Sequence, residues 1–556
     1  MGLRFSHSTY LEIDTPAFQW IAMIRPDIVK QLACPAVGLS TSWIIAQKGK
    51  PATHLSEVDG QFRREMWPFE KSVCPKDPTR AKELRQKANE TYRKGMDHMG
   101  AALSEYNMAI CAAPEGSEEL GLAYANRSAV CFQQKKYHAC VKNIELAQMN
   151  YPKDKLEKLL ERKEKCVKLL EDGQEVEEEL DDKNALDKVE VREIANYGQG
   201  VVLRENGNVG DILFQENPSI LVVEQGFNFK TCDRCGCNKT QAMIPCSSCT
   251  EVMYCSELCK NEAFSMYHKF ECEIVQDLQY LFRGPRPVDM FRLAFRVFLR
   301  FASELFQNRD KFWQRYQNDL KGFRNPQLIN NADIHWHVLC VGQQQKKSGD
   351  NNGIGMTQFL TVLIYKVAIE ENNSIASLIN QQDHDRLRDI LYGLLFRVKE
   401  YCDQGAPQIT SVYPMLRMVN HSCAPNAERV FIGGRCSLLL AKRPIDGGEQ
   451  VLVCYLPGGS TDTTARDERR KQLQAEFDFE CECLGCTLDY PKLDDLEENR
   501  ELAGELETID QQPNAEERLD LLKGFLQLYD DLYPQRELAK GWKLCLEALL
   551  KPMSSC

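Results

Sequence analysis

Between residues 232 and 272 the chain places Cys232, Cys235, Cys246, Cys249, Cys255, Cys259, His268 and Cys272 in the order Cys-x2-Cys-x10-Cys-x2-Cys-x5-Cys-x3-Cys-x8-His-x3-Cys. Zinc takes four thiolate or imidazole ligands in a tetrahedron, and two ligands separated by two residues sit on one tight turn. Eight such ligands close two sites and leave no position open for water, so these sites are expected to be structural. Little apolar material lies between the ligands, so metal binding is expected to supply the folding free energy of this stretch. Cys237 reads as a spare thiol beside the sites.

The remaining cysteines fit the same view. Of 24 in the chain, eight fall in 232–272 and six in 423–486. No secretory stretch opens the sequence and no apolar run reaches membrane length, so thiols and metal ligands are expected rather than disulfides, in the cytoplasm and nucleus. Gly2 and Ser6 fit the loose myristoylation pattern, but no polybasic stretch follows, and one acyl chain anchors only marginally. The net charge of −12, from 69 basic and 81 acidic residues, argues against a surface that tracks a phosphate backbone. The basic stretch Leu281–Arg324 is expected to be the solvated face of amphipathic helices.

At 556 residues the chain is long enough for several cores. Residues 1–78 show no sustained period and stay unassigned. From 79 to 170 the pattern is helical and repeats: Asn89 to Asn126 and Ala102 to Ala139 are both offsets of 37, close to a tetratricopeptide repeat. A helix over Lys153–Leu170 would cap a short array that leans on its neighbour. An acidic linker, 171–188, follows. Short strands are expected at Gly200–Leu203, Ile212–Phe214, Ile220–Val223, Ser437–Ala441 and Gln450–Tyr455, and helices at Phe291–Phe323, Thr357–Ile369, Asp385–Tyr401 and Leu496–Leu550.

A second cluster, Cys481-x-Cys483-x2-Cys486, is one ligand short of a tetrahedron. Cys423, in Asn420-His421-Ser422-Cys423, is the candidate for the fourth. A metal there would pin the 481–486 segment over the Asn420 region. Gly448-Glu449-x5-Tyr455 stands between the two.

Asn-His-Ser-Cys, Gly-Glu-x5-Tyr and the cysteine-rich tail together resemble the SET domain of protein-lysine methyltransferases. The first cluster, with Tyr254-Cys255-Ser256-x2-Cys259 and His268-x3-Cys272, resembles a MYND finger. Their combination with the repeats resembles the tetratricopeptide-bearing branch of the SET and MYND family. The resemblance implies a multidomain α+β chain: a SET β-fold split by an inserted MYND finger and flanked by helical arrays. Its parts would be 189–227 and 401–456 for the SET core, 228–272 for the finger and 273–400 for a helical insert. A post-SET segment, 457–490, and a helical region, 491–556, would follow. It implies interleaved finger zincs, one on Cys232, Cys235, Cys255 and Cys259, the other on Cys246, Cys249, His268 and Cys272. A third zinc on Cys423, Cys481, Cys483 and Cys486 makes three. It also implies S-adenosylmethionine as cofactor, its methionine end contacted by Tyr197, Gly198 and Gln199, its adenine by Asn420 and His421, and Phe479 packing on cofactor or channel, with Tyr455 as the catalytic tyrosine beside the transferring methyl. The chain departs from the family at Phe477, where relatives usually carry tyrosine, and at Gln199, where asparagine is commoner.

The implied function is methyl transfer to lysine of a histone or non-histone protein. The alternative is a catalytically weak scaffold that binds peptides and chaperones. A zinc-dependent DNA binder fits worst with the negative charge. The repeats offer Arg85, Asn89, Asn126, Lys158 and Arg162 at the spacing used to grip a heat-shock chaperone's carboxylate tail. The resemblance to a MYND finger implies peptide binding there, a proline-rich peptide being one candidate.

Overall fold

The computed structural model describes residues 75–173, 185–275 except 196 and 225, 287–322, 373–396, 408–456 and 464–553 except 478, with Thr361, Ile364, Tyr365, Ile369, Val398 and Cys402 besides. The myristoylation pattern, most of the N-terminal segment, the acidic run 174–182 and most of Thr357–Ile369 lie outside the described residues.

Five helices open the described chain: α1 (Pro78–Arg93), α2 (Met99–Ala112), α3 (Glu118–Gln133), α4 (Tyr137–Gln148) and α5 (Leu156–Glu171). Asp77 caps α1 by accepting from the Thr79 N–H, with Pro78 opening the helix where no N–H is needed. Ser117 accepts from Leu120 N–H and starts α3. Ala88, Ala102, Ala109, Ala123 and Ala147 are fully buried, and these small side chains let the helix axes approach. Gly121 sits so close to the Asn150 backbone that an added Cβ would fall 2.7 Å from it. α1, α3 and α5 meet through polar side chains, the Asn126 amide donating to Asn89 and Arg162 donating to the Ala125 carbonyl.

The β region is a set of small sheets. β1 (Val189–Ile194) and β2 (Gly198–Leu203) form an antiparallel pair. β3 (Ile212–Glu216), β10 (Cys436–Ala441) and β9 (Ala427–Ile432) form a three-stranded antiparallel sheet with β10 central. β4 (Ile220–Val223) pairs antiparallel with β7 (Ile409–Val412) across a long stretch of sequence. That stretch holds the first cysteine cluster, with β5 (Ile244–Pro245), β6 (Met253–Tyr254) and α6 (Glu257–Ala263). It also holds α7 (Pro287–Gln307), α8 (Arg309–Gly322) and α9 (His384–Phe396). β8 (Asn420–His421) runs parallel to β11 (Leu452–Val453).

After α10 (Arg466–Phe477) the chain ends in α11 (Arg500–Asp510), α12 (Ala515–Leu528) and α13 (Arg536–Met553). Leu522, Phe525 and Trp542 form a core with Val209 and Leu440 of the β region. Arg443 locks the join by a bidentate pair with Asp530 at 2.6 and 2.9 Å, its guanidinium 4.6 Å from the Tyr533 ring.

Three expectations need correction. The helix over Phe291–Phe323 is two helices, because Asn308 ends α7 through its N–H to Glu304 and caps α8 by accepting from Lys311 N–H. Within α7 the basic stretch is not a solvated face: Arg292 and Arg296 are buried and paired with Asp289, Asp233 and Glu271. The strand over Gln450–Tyr455 shortens to Leu452–Val453, since the Tyr455 N–H donates to the His421 ring instead of a neighbouring strand.

Candidate functional site

The first cluster gathers two knots of sulfur. Cys246, Cys249, His268 and Cys272 place all four ligand atoms within 4.8 Å of one another. Cys232, Cys235, Cys237 and Cys255 do the same, with Cys259 Sγ 3.6 Å from Cys255 Sγ. Five thiols therefore converge at this knot, and Cys237, which looked spare in the sequence, stands inside it. Short spacing explains the rest: the N–H of Gly236 bonds the Cys232 carbonyl, and Gly236 takes φ +75°, turning the chain so that Cys235 and Cys237 face inward. Hydrogen bonding among the sulfurs splits the thiols, lowering Cys235 and Cys246, while Cys232, mainly through burial, and Cys249, through its sulfur neighbours, are raised.

Arg296 of α7 fastens this cluster to the β region. Its fully buried guanidinium donates to Glu271 at 2.7 and 2.8 Å and to the Leu221 carbonyl at 2.7 Å. It lies 3.3 Å from Asp233 and 4.2 Å over the Tyr267 ring. Asp233 and Glu271 adjoin Cys232 and Cys272, so one cation ties both knots to α7 and β4. Its desolvation is offset by two carboxylates, which hold it charged.

The second cluster assembles across the chain. Cys423, Cys481, Cys483 and Cys486 are buried, with their sulfurs within 4.8 Å of one another. The Cys423 N–H donates to Cys483 Sγ at 3.2 Å, and hydrogen bonding led by Cys423 lowers Cys483 and brings Cys486 down to about 6. Four converging, buried sulfurs form a donor set that suits zinc.

Next to it lies the cradle expected for the cofactor. Asn420 Nδ2 donates to the Gln199 carbonyl at 3.1 Å and to Gln450 Oε1 at 2.6 Å. A Cβ at Gly200 would fall 2.7 Å from both of those side-chain atoms, so only glycine lets β2 approach. Gly198 adopts φ +76°, a left-handed backbone that glycine takes without strain. Gln199 Oε1 is buried without a hydrogen-bond partner, an acceptor left for a ligand donor. Tyr197 stays nearly half exposed, its hydroxyl raised by burial and by Cys481 and Cys483 of the tail facing it. An orphaned acceptor in a glycine-lined cradle fits a zwitterionic methionine end.

His421, Tyr455, Phe477 and Phe479 form an aromatic group. The His421 ring is 5.2 Å from Tyr455 and 5.9 Å from Phe479, and Phe477 is 5.1 Å from Tyr455. His421 Nδ1 accepts from the Tyr455 N–H at 2.9 Å, which places its proton on Nε2, 3.2 Å from Cys423 Sγ. Burial lowers its pKa to about 4, so the ring is neutral. Burial raises Tyr455 to about 12, and its hydroxyl donates to the Val419 carbonyl at 2.7 Å. Phe477 is 42% exposed and edges the opening.

Asn420 thus lies against Gln199, its neighbour His421 lies against Tyr455 and Phe479, and Tyr197 stands near Cys481 and Cys483. Sequence reasoning missed Gln450, which orients the Asn420 amide; its only signal was a polar side chain beside Gly448-Glu449. Four of the residues expected to grip a chaperone tail are already engaged. Arg85 makes a bidentate pair with Glu119 at 2.8 and 3.2 Å, and Asn89 accepts from Tyr106 and Asn126. Arg162 bonds Ser128, while Lys158 is exposed.

Residues 198–456 match the SET domain, which defines the class of protein. Relatives extend the likeness. Mouse "Histone-lysine N-methyltransferase SMYD3" is 28% identical over 54% of the chain and 61% of its own length. Zebrafish (Danio rerio) "Protein-lysine N-methyltransferase SMYD4" is 24% identical over 76% and 67%. Fission yeast (Schizosaccharomyces pombe) "SET domain and MYND-type zinc finger protein 6" is 23% identical over 53% and 51%. The chain spans about three fifths of the mouse relative. The chain is thus similar to proteins of the SET and MYND domain family, and the breadth of the zebrafish match fits the branch with tetratricopeptide repeats. No helix among the described residues is long and apolar enough to cross a membrane.

Proposed function

We propose that the chain transfers a methyl group from S-adenosylmethionine to the side-chain amine of a lysine in a histone or non-histone protein. In this reading 228–272 is an inserted MYND finger, α1–α5 are tetratricopeptide-like, and three zincs are bound, in the cytoplasm and nucleus. The observation that carries it is the meeting of Gln199, Asn420, His421 and Tyr455 in one cradle inside the SET match. When bound, the cofactor would supply an electrophilic methyl on a sulfonium.

The chain's own residues do the remaining work. Gln199 and the β2 backbone would hold the methionine end and Asn420 and His421 the adenine, with Tyr197 and Phe479 closing over the cofactor. Neutral His421, Tyr455, Phe477 and Phe479 make a sleeve that strips water from an entering lysine and favours the unprotonated amine. Their ring faces stabilise the cation that develops as the N–C bond forms. The Tyr455 hydroxyl, tethered to the Val419 carbonyl, stays protonated and orients the sleeve toward in-line attack.

Phe477 supports the second reading, a scaffold with weak transfer, because it brings no hydroxyl to the opening. In that reading peptides or a chaperone tail are the ligands, the tail having to displace Glu119 from Arg85, and a proline-rich peptide sits on the finger. The test is calorimetry with S-adenosylmethionine, then labelled methyl transfer by the wild type and Tyr455→Phe. We expect Tyr455→Phe to lower turnover at least about tenfold with less than about threefold change in cofactor affinity, since the effect belongs to the transition state. Cofactor binding without transfer by the wild type would favour the scaffold; no cofactor binding would refute both the cradle and the enzyme.

A further inference from the structure

The helical array holds a polar group that the methyl-transfer reading does not use. Asn107 of α2, Arg127 of α3 and Asn143 of α4 are wholly buried. Arg127 lies between the two amides, donating from Nη1 to Asn107 Oδ1 at 2.5 Å and from Nε to Asn143 Oδ1 at 2.6 Å. Both amide oxygens are thereby occupied, and both Nδ2 groups are turned outward.

What they meet is main chain from the cysteine-rich segment. Asn107 Nδ2 donates to the carbonyls of Phe229 and Thr240, each at 2.8 Å. Asn143 Nδ2 donates to the Gln241 carbonyl at 2.7 Å, and Arg127 Nη1 to that of Met243 at 2.8 Å. Met243 and Met253 insert fully buried into the array's apolar core, and Lys142 reaches the Cys255 carbonyl. The carbonyls at 240–243 lie between Cys237 and Cys246, and that of Phe229 just precedes Cys232. The geometry that presents them is therefore set by the two thiol knots.

We propose that the array is an internal receptor for the finger's main chain, so that metal loading of the finger and the integrity of α2–α4 form one linked equilibrium. The clasp reads carbonyls rather than side chains, so it senses the folded shape of 229–243. A metal-free finger loses that shape, leaving Asn107, Arg127 and Asn143 buried or half-buried without their acceptors. Linkage then requires the reverse effect: weakening the clasp must weaken metal retention by the finger.

Two measurements on the full chain test this. The first is hydrogen exchange followed by mass spectrometry, before and after a chelator removes the finger's metal. Protection is expected to fall across 99–148 and to persist in α11–α13. The second is zinc release to a chromogenic chelator by Asn107→Ala and Asn143→Ala, in a Cys423→Ser background that removes the third site. Release is expected to quicken about tenfold in each, as follows from losing hydrogen bonds to buried carbonyls. Unchanged protection in α2–α4 on metal removal, or wild-type release rates in folded variants, would overturn the proposal. A parallel Arg127→Gln variant that purifies unfolded does not rescue it, because the two asparagine variants decide the outcome.

Discussion

The two cysteine clusters solve the same coordination problem in opposite ways. In the finger the ligands follow one another along a short stretch, and their knots serve as the interior of a module that α2–α4 and Arg296 grip from two sides. In the second cluster, Cys423 meets three thiols from a segment some sixty residues further on, and Tyr455 and Phe479 pack against the knot. A local cluster builds a body; a remote one positions a site. His421 shows the difference in a single side chain, since one ring nitrogen faces Cys423 and the other accepts from Tyr455.

The comparison is broken most severely by Cys246→Ser with Cys249→Ser. With the finger's metal lost, α2–α4 lose their acceptors, and melting by circular dichroism is expected to fall by about 10 °C or more, consistent with the loss of structural metal and buried hydrogen bonds. Cys423→Ser should act elsewhere. Metal analysis is expected to find one equivalent fewer while finger peptides keep their exchange protection, and S-adenosylmethionine affinity to drop by about tenfold as the knot loosens. A variant that unfolds the finger as well would erase the distinction drawn above.

Acid–base behaviour gives a smaller effect. Methyl transfer is expected to rise with pH between 7 and 10 as the lysine amine loses its proton, with no falling limb from Tyr455, whose pKa is near 12. Because burial raises that folded value above the ordinary 10, its stabilising contribution is complete below pH 10 and is lost as pH climbs through about 12. A pH–rate profile that turned down near 9 in the wild type but not in Tyr455→Phe would assign the tyrosine a different role. The smallest change is at the array: Glu119→Gln should free Arg85 and tighten binding of an acidic peptide with a free carboxylate by about three- to tenfold, the scale of one partly buried ion pair. Equal affinity for an amidated peptide would remove the clamp.

Much of the local structure was legible before any coordinates. Ligand spacing implied tight turns; Cys246, Cys249, His268 and Cys272 do gather, whereas the other finger group takes in Cys237 beside Cys232, Cys235 and Cys255, with Cys259 next to Cys255. The Asn89–Asn126 offset became a hydrogen bond between α1 and α3. Where reading failed, the cause was long-range. The basic stretch looked solvated because Arg296 falls among other bases, while its partners Asp233 and Glu271 lie outside the stretch. Cys237 looked spare because spacing cannot tell which of three nearby thiols a turn will aim inward.

By itself the sequence determined which residues can bond metal and where the repeat helices fall, since those depend on neighbours a few positions away. Only the tertiary structure decided that Arg127 would face a peptide backbone, that Gln450 would orient Asn420, and that His421 would stand between Cys423 and Tyr455. Each of those is a contact between groups whose separation along the chain carries no pattern, and the packing of the whole chain sets it.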